Sequence, residues 1–257
     1  MSSLLWAVVC FVLFTHCLLL CDELRAFDHM LGFMKETNDE IDGCLPDMQN
    51  CFNPTDPKDS ASDVYFVDNT AVYQQSDPSH SISGTTSQIY GTSPDKAEMN
   101  GFISSYSSRT GDSEYGKRIM QCFAPDHVPA ITTLASEFGV FDGWYASVPG
   151  PTQVNRAYAA SATSNGMGTN DVETMVRGFP QKTMFSQLED MGLDYRVYFE
   201  LVPCLLAFKD MRRKTARQSY RTLSKLFTDL EAGDLPAFSF VEPRYYDTPG
   251  GNMIHCI

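Results

Sequence analysis

A strand, a tight turn and a helix follow one another between residues 139 and 163, and this succession constrains the fold more than any other segment. Residues 139–145 are apolar and aromatic enough to form a strand, and residues 153–163 contain four alanines, which favour a helix. The intervening Pro-Gly-Pro turn places Thr152 at the helix start, where unpaired N–H groups and the helix dipole favour anions. A phosphate beside Thr152 would therefore find donors directed at it. Thr152 is equally a residue type that simply caps helices.

Helix and strand patterns alternate through most of the chain. The patterns predict strands at 64–67, 195–199 and 236–241, and helices at 27–35, 94–105, 129–138 and 183–191, with a polar loop over 36–63. Such alternation is typical of an α/β protein with a mostly parallel sheet flanked by helices. Proteins of this class bind ligands in loops at the carboxyl ends of their strands.

The charge balance argues against one large class of partners. The chain has 257 residues with 19 Lys and Arg against 32 Asp and Glu, a net charge of −13. General nucleic-acid binding is not expected, because no excess of positive charge is available to displace counterions from phosphates. One local basic run lies on a predicted helix that continues to Glu231: Lys209, Arg212, Arg213, Lys214, Arg217 and Arg221. It forms either a solvated helix face or a contact for anionic lipid headgroups.

The amino terminus is strongly apolar. Residues 4–14 are uninterrupted apolar side chains, which predicts a secretory signal cleaved near Cys17. On this prediction residues 1–17 are a signal-like segment and the protein is secreted or endomembrane. If the segment is retained, it would associate the protein with a membrane. Two alternatives remain open. The apolar segment could continue to Cys21 as a membrane span, for which it is barely long enough, or residues 17–22 could form a buried parallel strand.

Eight cysteines suit a secreted protein. Their spacing does not resemble a zinc site. Cys44 and Cys51 are the best candidates for a disulfide, because a short cross-link would restrain their polar loop. The alternative is that both are thiols.

Several motifs carry a family resemblance. Residues 23–32 read Glu-Leu-Arg-Ala-Phe-Asp-His-Met-Leu-Gly, residues 77–81 read Asp-Pro-Ser-His-Ser, and residues 147–156 read Ser-Val-Pro-Gly-Pro-Thr-Gln-Val-Asn-Arg. With shorter matches at 99–102, 179–183 and 235–247, they resemble, in order, the motifs of a phosphoesterase family. That family contains bacterial phosphatidylcholine-hydrolysing phospholipases C, acid phosphatases and plant non-specific phospholipases C. The resemblance implies an alkaline-phosphatase-like fold.

The resemblance also implies roles for individual residues. Thr152 would be the nucleophile, and Glu23 would bind a divalent metal that activates it. His80 would act near the leaving group as donor or general acid. Asn155 and Arg156 would bind phosphoryl oxygens. The implied reaction is hydrolysis of a glycerophospholipid to diacylglycerol and a phosphorylated headgroup at a membrane surface, with phosphomonoesters as alternative substrates.

Further charged residues follow the predicted strand 236–241. Glu242, Arg244 and Asp247 would lie at the ligand-bearing edge of the sheet, or an Arg–Glu pair would close the strand end. Asp28 and His29, in the first motif, are expected to be structural and to fix the turn after the first strand.

The sequence departs from the family pattern in two places. Leu24 occupies the position of the family's asparagine, a metal ligand, and leucine has no lone pair to offer. The family's carboxyl-terminal half, with an Asp-Glu-His-Gly-Gly-like motif and further ligands, is also missing. We therefore expect residues 18–257 to form the amino-terminal part of a phosphoesterase domain with an incomplete sheet and an incomplete metal site. The alternatives to an active enzyme are a non-catalytic lipid- or phosphate-binding protein and an inert truncation.

Overall fold

The computed structural model of the chain describes residues 6–13, 16–51, 64–71, 78–91, 93, 95–111 and 113–242. Side chains are described from Ala26 onward, except those of 113–115. The chain divides into two compact units. The first contains 6–7, 25–136 and 142–152, and the second contains 8–24, 137–141 and the residues from 153 onward.

The strands and helices have the following bounds. The strands are β1 Trp6–Leu13, β2 His16–Ala26, β3 Gln49–Cys51, β4 Val64–Phe66, β5 Gly139–Phe141, β6 Tyr195–Phe199, β7 Tyr220–Thr222 and β8 Phe238–Glu242. The α-helices are α1 Phe27–Leu31, α2 Ile82–Tyr90, α3 Phe102–Thr110, α4 Ser113–Arg118, α5 Pro129–Glu137, α6 Thr152–Ser161, α7 Val172–Arg177, α8 Met184–Asp190, α9 Lys214–Arg217 and α10 Leu223–Ala232. Short 3₁₀ helices cover Gly32–Glu36, Cys204–Ala207 and Asp210–Arg212.

A mixed sheet organises the second unit. Within the described residues it has six strands in the order β5-β1-β2-β8-β6-β7. The pairs β2–β8, β8–β6 and β6–β7 are parallel, and the edge pair β1–β5 is antiparallel. Strand β8 is thus central, with Leu20 of β2 opposite Val241 and Val197 of β6 opposite Phe240. The prediction of an α/β fold with a mostly parallel sheet is confirmed, whereas the alkaline-phosphatase likeness stays a prediction.

The amino-terminal region contributes two strands to this sheet. The strand predicted over residues 17–22 is confirmed, because β2 runs parallel to β8 through Cys17–Leu20. Residues 6–13, inside the predicted signal-like segment, form β1 against β5. Removal of residues 1–17 and the cellular location stay predictions. In the part of the chain that the structure describes, no helix combines the length and apolar character that a membrane crossing requires.

Elements with a strong local pattern lie where the sequence predicts them. The helix predicted at 129–138 is α5 and the strand predicted at 195–199 is β6. Helix α8 begins after Thr183, whose hydroxyl accepts a hydrogen bond from the Ser186 N–H and so caps the helix. The core of this region is aromatic, since the Phe185 ring lies 5.2 Å from that of Tyr195 and 5.7 Å from that of Phe240.

Three predictions of secondary structure are wrong. The helix predicted at 94–105 begins only at Phe102, and α2 forms in a Ser/Thr/Gly-rich stretch that had no predicted element. Residues 209–231 are not one helix: Asp210–Arg212, α9, β7 and α10 share them. The interruption occurs because Tyr220–Thr222 pairs with β6, and sheet hydrogen bonds there replace helical ones.

The basic run is therefore not a single cationic face. Arg213 pairs with Asp210 and with Glu189, both at 3.0 Å. Arg212 donates to the carbonyl oxygens of Leu206 and Met175 at 2.6 and 3.0 Å. Both guanidinium groups are thus engaged by the protein itself.

The predicted Cys44–Cys51 disulfide is also wrong. Cys44 and Cys51 are thiols, and Cys51 lies in β3, which pairs with β4. The Sγ atom of Cys44 instead lies 4.0 Å from that of Cys122, within the core of the first unit.

Candidate active site

The turn before α6 presents Thr152 at a helix start. Pro151 is buried, Thr152 is half-buried, and the helix begins at Thr152 itself rather than after it. The next N–H group, that of Gln153, donates to the side-chain oxygen of Asn170 at 2.9 Å. A side chain from another segment therefore satisfies one of the donors at the helix start, which a capping threonine would otherwise serve. No sequence pattern around Asn170 predicts this role.

The loop that carries His80 lies beside this turn. A Cβ atom on Gly150, in the Pro-Gly-Pro turn, would stand only 3.1 Å from the Ile82 Cγ1 atom. Ile82 is the first residue of α2 and follows His80 by two positions. Ser81 fixes this helix start, because its hydroxyl accepts from the Gly84 N–H at 3.0 Å. Within the first unit, the structure thus brings the exposed His80 loop next to the turn that ends at Thr152.

A polar groove adjoins the same loop. It has a volume of about 580 Å³ and lies between α2 and α3. Its lining is mostly hydroxyl groups with one guanidinium: Ser79, Ser81, Ser83, Ser87, Ser104, Ser105, Ser108 and Arg109, together with Gly84 and Gly91. Such a lining offers both donors and acceptors to a polar ligand.

Asn155 and Arg156 lie one turn into α6 and are both buried, with 4% and 6% of their surfaces exposed. Arg156 lies close to the carboxyl group of Glu242 and the thiol of Cys204. Burial raises the pKa of both groups, and the positive charge of Arg156 opposes that rise. A buried cation on this helix therefore has a carboxylate counterion from the end of β8.

Glu242 is the last residue of β8, and its side chain is buried. Only 1% of it is exposed, and its Oε2 atom accepts from the Cys204 N–H at 3.0 Å. The Cys204 thiol donates to the other carboxylate oxygen. Burial raises the pKa of Glu242, and burial also raises the pKa of the Cys204 thiol. Glu242 thus joins β8 to the 3₁₀ helix Cys204–Ala207 and lies close to Arg156. The contact between Glu242 and Cys204 was not predicted from the sequence.

The remaining predicted residues are placed only in part. Glu23 lies in the last part of β2, three positions beyond the Leu20–Val241 pair, and its side chain is outside the described ones. Arg244 and Asp247 lie outside the described residues. Among the side chains that are described, no three His, Cys, Asp or Glu residues are grouped so as to hold a metal ion. The described side chains thus do not provide a divalent-cation site, and Glu23 as a ligand stays a prediction.

Fold and site together define an α/β protein in which a turn that ends at a helix start packs against a histidine-bearing polar loop. The chain belongs to the Phosphoesterase family, which matches residues 14–252.

Similar proteins from plants and bacteria agree with this membership. Non-specific phospholipase C1 of Arabidopsis thaliana is 40% identical over 228 residues, which cover 88% of this chain and 42% of that protein. Non-specific phospholipase C3 of the same plant is 37% identical, over 88% of this chain and 44% of its own length. Phospholipase C A of Mycobacterium tuberculosis is 29% identical, over 71% and 37%. The chain thus spans less than half the length of these relatives.

Proposed function

We propose that this protein is a phospholipase C-type phosphoesterase that hydrolyses glycerophospholipids to diacylglycerol and a phosphorylated headgroup. The observation that carries the proposal is the packing of the His80 loop against the turn that ends at Thr152. The relatives named as phospholipases C supply the substrate class. The hydroxyl-lined groove beside His80 is of the kind that a polar headgroup requires.

The proposed reaction has two displacements at phosphorus. In the first, the Thr152 oxygen bonds to phosphorus and loses its proton to solvent, while the bond from phosphorus to the glycerol oxygen breaks. His80 donates a proton to that departing oxygen. In the second, water gives one proton to His80 and attacks the threonine-bound phosphorus; the bond from phosphorus to the Thr152 oxygen breaks, that oxygen takes a proton from solvent, and the phosphorylated headgroup is released.

The helix contributes electrostatic stabilisation. In this proposal the side chain of Asn155 and the amides at the start of α6, other than that of Gln153, donate to phosphoryl oxygens, where charge develops in each displacement. The positive charge of Arg156 is held on the same helix by Glu242. In this proposal Glu242 is a positioning residue, because it is buried against Cys204 and acts through Arg156.

Substitution of Thr152 tests the function. Thr152→Ala should lower hydrolysis of a chromogenic phosphocholine ester by at least about 10³-fold, because it removes the nucleophile. Thr152→Ser is the matched control and should retain turnover well above that of the alanine variant. Turnover in Thr152→Ala equal to that of the unmodified protein, with both folded by thermal unfolding, would remove Thr152 from this role. A chromogenic phosphomonoester, assayed in parallel, should be the poorer substrate.

We also propose that the membrane surface is a partner, through the loop before Cys204. Leu201 and Val202 are 47% and 51% exposed, and Leu201 has a φ of 69°, a conformation that costs a leucine about 1–2 kcal/mol. A strained backbone that holds apolar side chains in solvent favours a contact function. Leu201→Ser should weaken co-sedimentation with phospholipid vesicles, and Phe227→Ser, on α10, should not. Vesicle binding without any lipid turnover would instead favour the non-catalytic lipid-binding alternative.

A further inference from the structure

Two cysteines that are far apart in sequence meet in the core of the first unit. Cys44 and Cys122 are 0% and 2% exposed, and their Sγ atoms are 4.0 Å apart. They belong to one buried cluster with Phe33, Val67, Ile103 and Met120. Both thiols therefore share an apolar environment from which water is excluded.

The local backbone holds each sulfur in place. The Cys122 N–H donates to the Asp68 carbonyl at 2.8 Å, which ties its segment to the residues after β4. Cys44 packs on Gly32 so closely that a Cβ atom at residue 32 would lie 2.5 Å from the Cys44 sulfur. A disulfide requires sulfurs at about 2.05 Å, so each sulfur must move by about 1 Å to form the bond.

We propose that Cys44 and Cys122 form a disulfide when the chain folds in the presence of a small disulfide oxidant such as glutathione disulfide. The two thiols lose two protons and two electrons as the S–S bond forms, and one glutathione disulfide is reduced to two molecules of glutathione. The bond links positions 78 residues apart and closes a loop across the first unit. This inference does not depend on the proposed enzymatic activity.

The timing of this oxidation follows from the surroundings of the thiols. The contact with Cys44, followed by burial, raises the pKa of the Cys122 thiol far above its ordinary value. Since the thiolate is the reactive form, the folded, reduced pair exchanges slowly with oxidants in solution. The bond therefore forms while the loop containing Cys44 is still open, and once formed it is shielded from reductants.

Mapping of the cysteines tests the proposal. The full chain is refolded in a glutathione redox buffer, blocked with N-ethylmaleimide in denaturant, and digested without reduction for mass spectrometry. The expected result is a cross-linked peptide pair that contains Cys44 and Cys122, present also in Cys51→Ala and Cys204→Ala. Blocked thiols at both positions, or a cross-link from either one to a different cysteine, would overturn it.

Thermal unfolding provides a second readout. Reduction with dithiothreitol in denaturant, followed by refolding with dithiothreitol present, should lower the Tm relative to the oxidised chain by at least about 5 °C, because the unfolded state regains the entropy of an open loop. The Tm of Cys122→Ala should not respond to dithiothreitol. An oxidised chain whose Tm is unchanged by full reduction would also contradict the proposal.

Discussion

Asp28, in the first family motif, is a buried acidic residue. Asp28 is 4% exposed, and its Oδ1 atom has no hydrogen-bond partner among the residues that the structure describes. Burial therefore raises the pKa of Asp28 from 3.8 to about 6. His29 beside it packs edge-on against the Phe123 ring at 5.1 Å. These contacts agree with a structural role for both residues.

The raised pKa of Asp28 predicts that the free energy of unfolding falls as the pH rises. A carboxyl group whose pKa rises on folding stabilises the protein fully below about pH 4 and loses that contribution as the pH rises through about 6. The shift corresponds to about 3 kcal/mol at neutral pH. Asp28→Asn, which carries no charge to bury, should therefore increase the free energy of unfolding by about 2–3 kcal/mol at pH 7.5 and have little effect at pH 4.

Urea unfolding at the two pH values measures this effect. Asp39→Asn, at an exposed position nearby, is the matched control and should change stability by less than about 0.5 kcal/mol at either pH. A stability change in Asp28→Asn that is the same at pH 4 and pH 7.5 would show that Asp28 does not titrate as described.

At the scale of elements, α10 is attached to the sheet by a charged network. Asp229 on this helix is 1% exposed and accepts from Arg196 and from Tyr198 of β6, both at 2.8 Å. Lys225, one turn earlier on α10, contacts its other oxygen at 2.8 Å. The pKa of Asp229 is lowered, and the hydrogen bond from Lys225 is the largest cause. One carboxylate thus holds a helix and a strand together.

Removal of this carboxylate should be costly. Asp229→Ala leaves Arg196 and Tyr198 without their shared acceptor and should lower the free energy of unfolding by about 3 kcal/mol. Asp234→Ala removes the second, 68% exposed partner of Arg196 and should cost less than about 1 kcal/mol. Chemical denaturation measures both, and equal losses in the two variants would contradict the role assigned to Asp229.

Elements were predictable where local pattern and final structure agree. Strand β6 is rich in aromatic and β-branched residues, and α8 has both a capping threonine and a glycine after its end. Strand β7 was not predictable, because Tyr220–Thr222 becomes a strand only through pairing with β6. Helix α2 was hidden by residues of low helix propensity, which the Ser81 cap compensates.

The same distinction applies to the candidate site. The helix start at Thr152 follows from neighbouring residues and was visible in the sequence. The contact of Ile82 with Gly150 and the bond of Cys204 to Glu242 join residues that are distant in the chain. Local pattern carries no information about such pairs, so the surroundings of Glu242 and the Cys44–Cys122 pair emerged only from the structure.

At the scale of the whole molecule, the family motifs are distributed over both compact units. Thr152 and His80 belong to the first unit, whereas Asn155, Arg156 and Glu242 belong to the second. Helix α6 begins at the last residue of the first unit and continues into the second. Variants of residues in either unit should therefore be compared only after their unfolding transitions have been recorded.

Capture of the covalent intermediate tests the central claim most directly. The protein is mixed with a short-chain phosphatidylcholine, quenched in acid within milliseconds to seconds, digested, and analysed by mass spectrometry. We expect a phosphocholine group on the peptide that contains Thr152, at the Thr152 oxygen, and no such adduct in Thr152→Ala. Substrate turnover with an adduct on a different residue, or with none at any quench time, would contradict it.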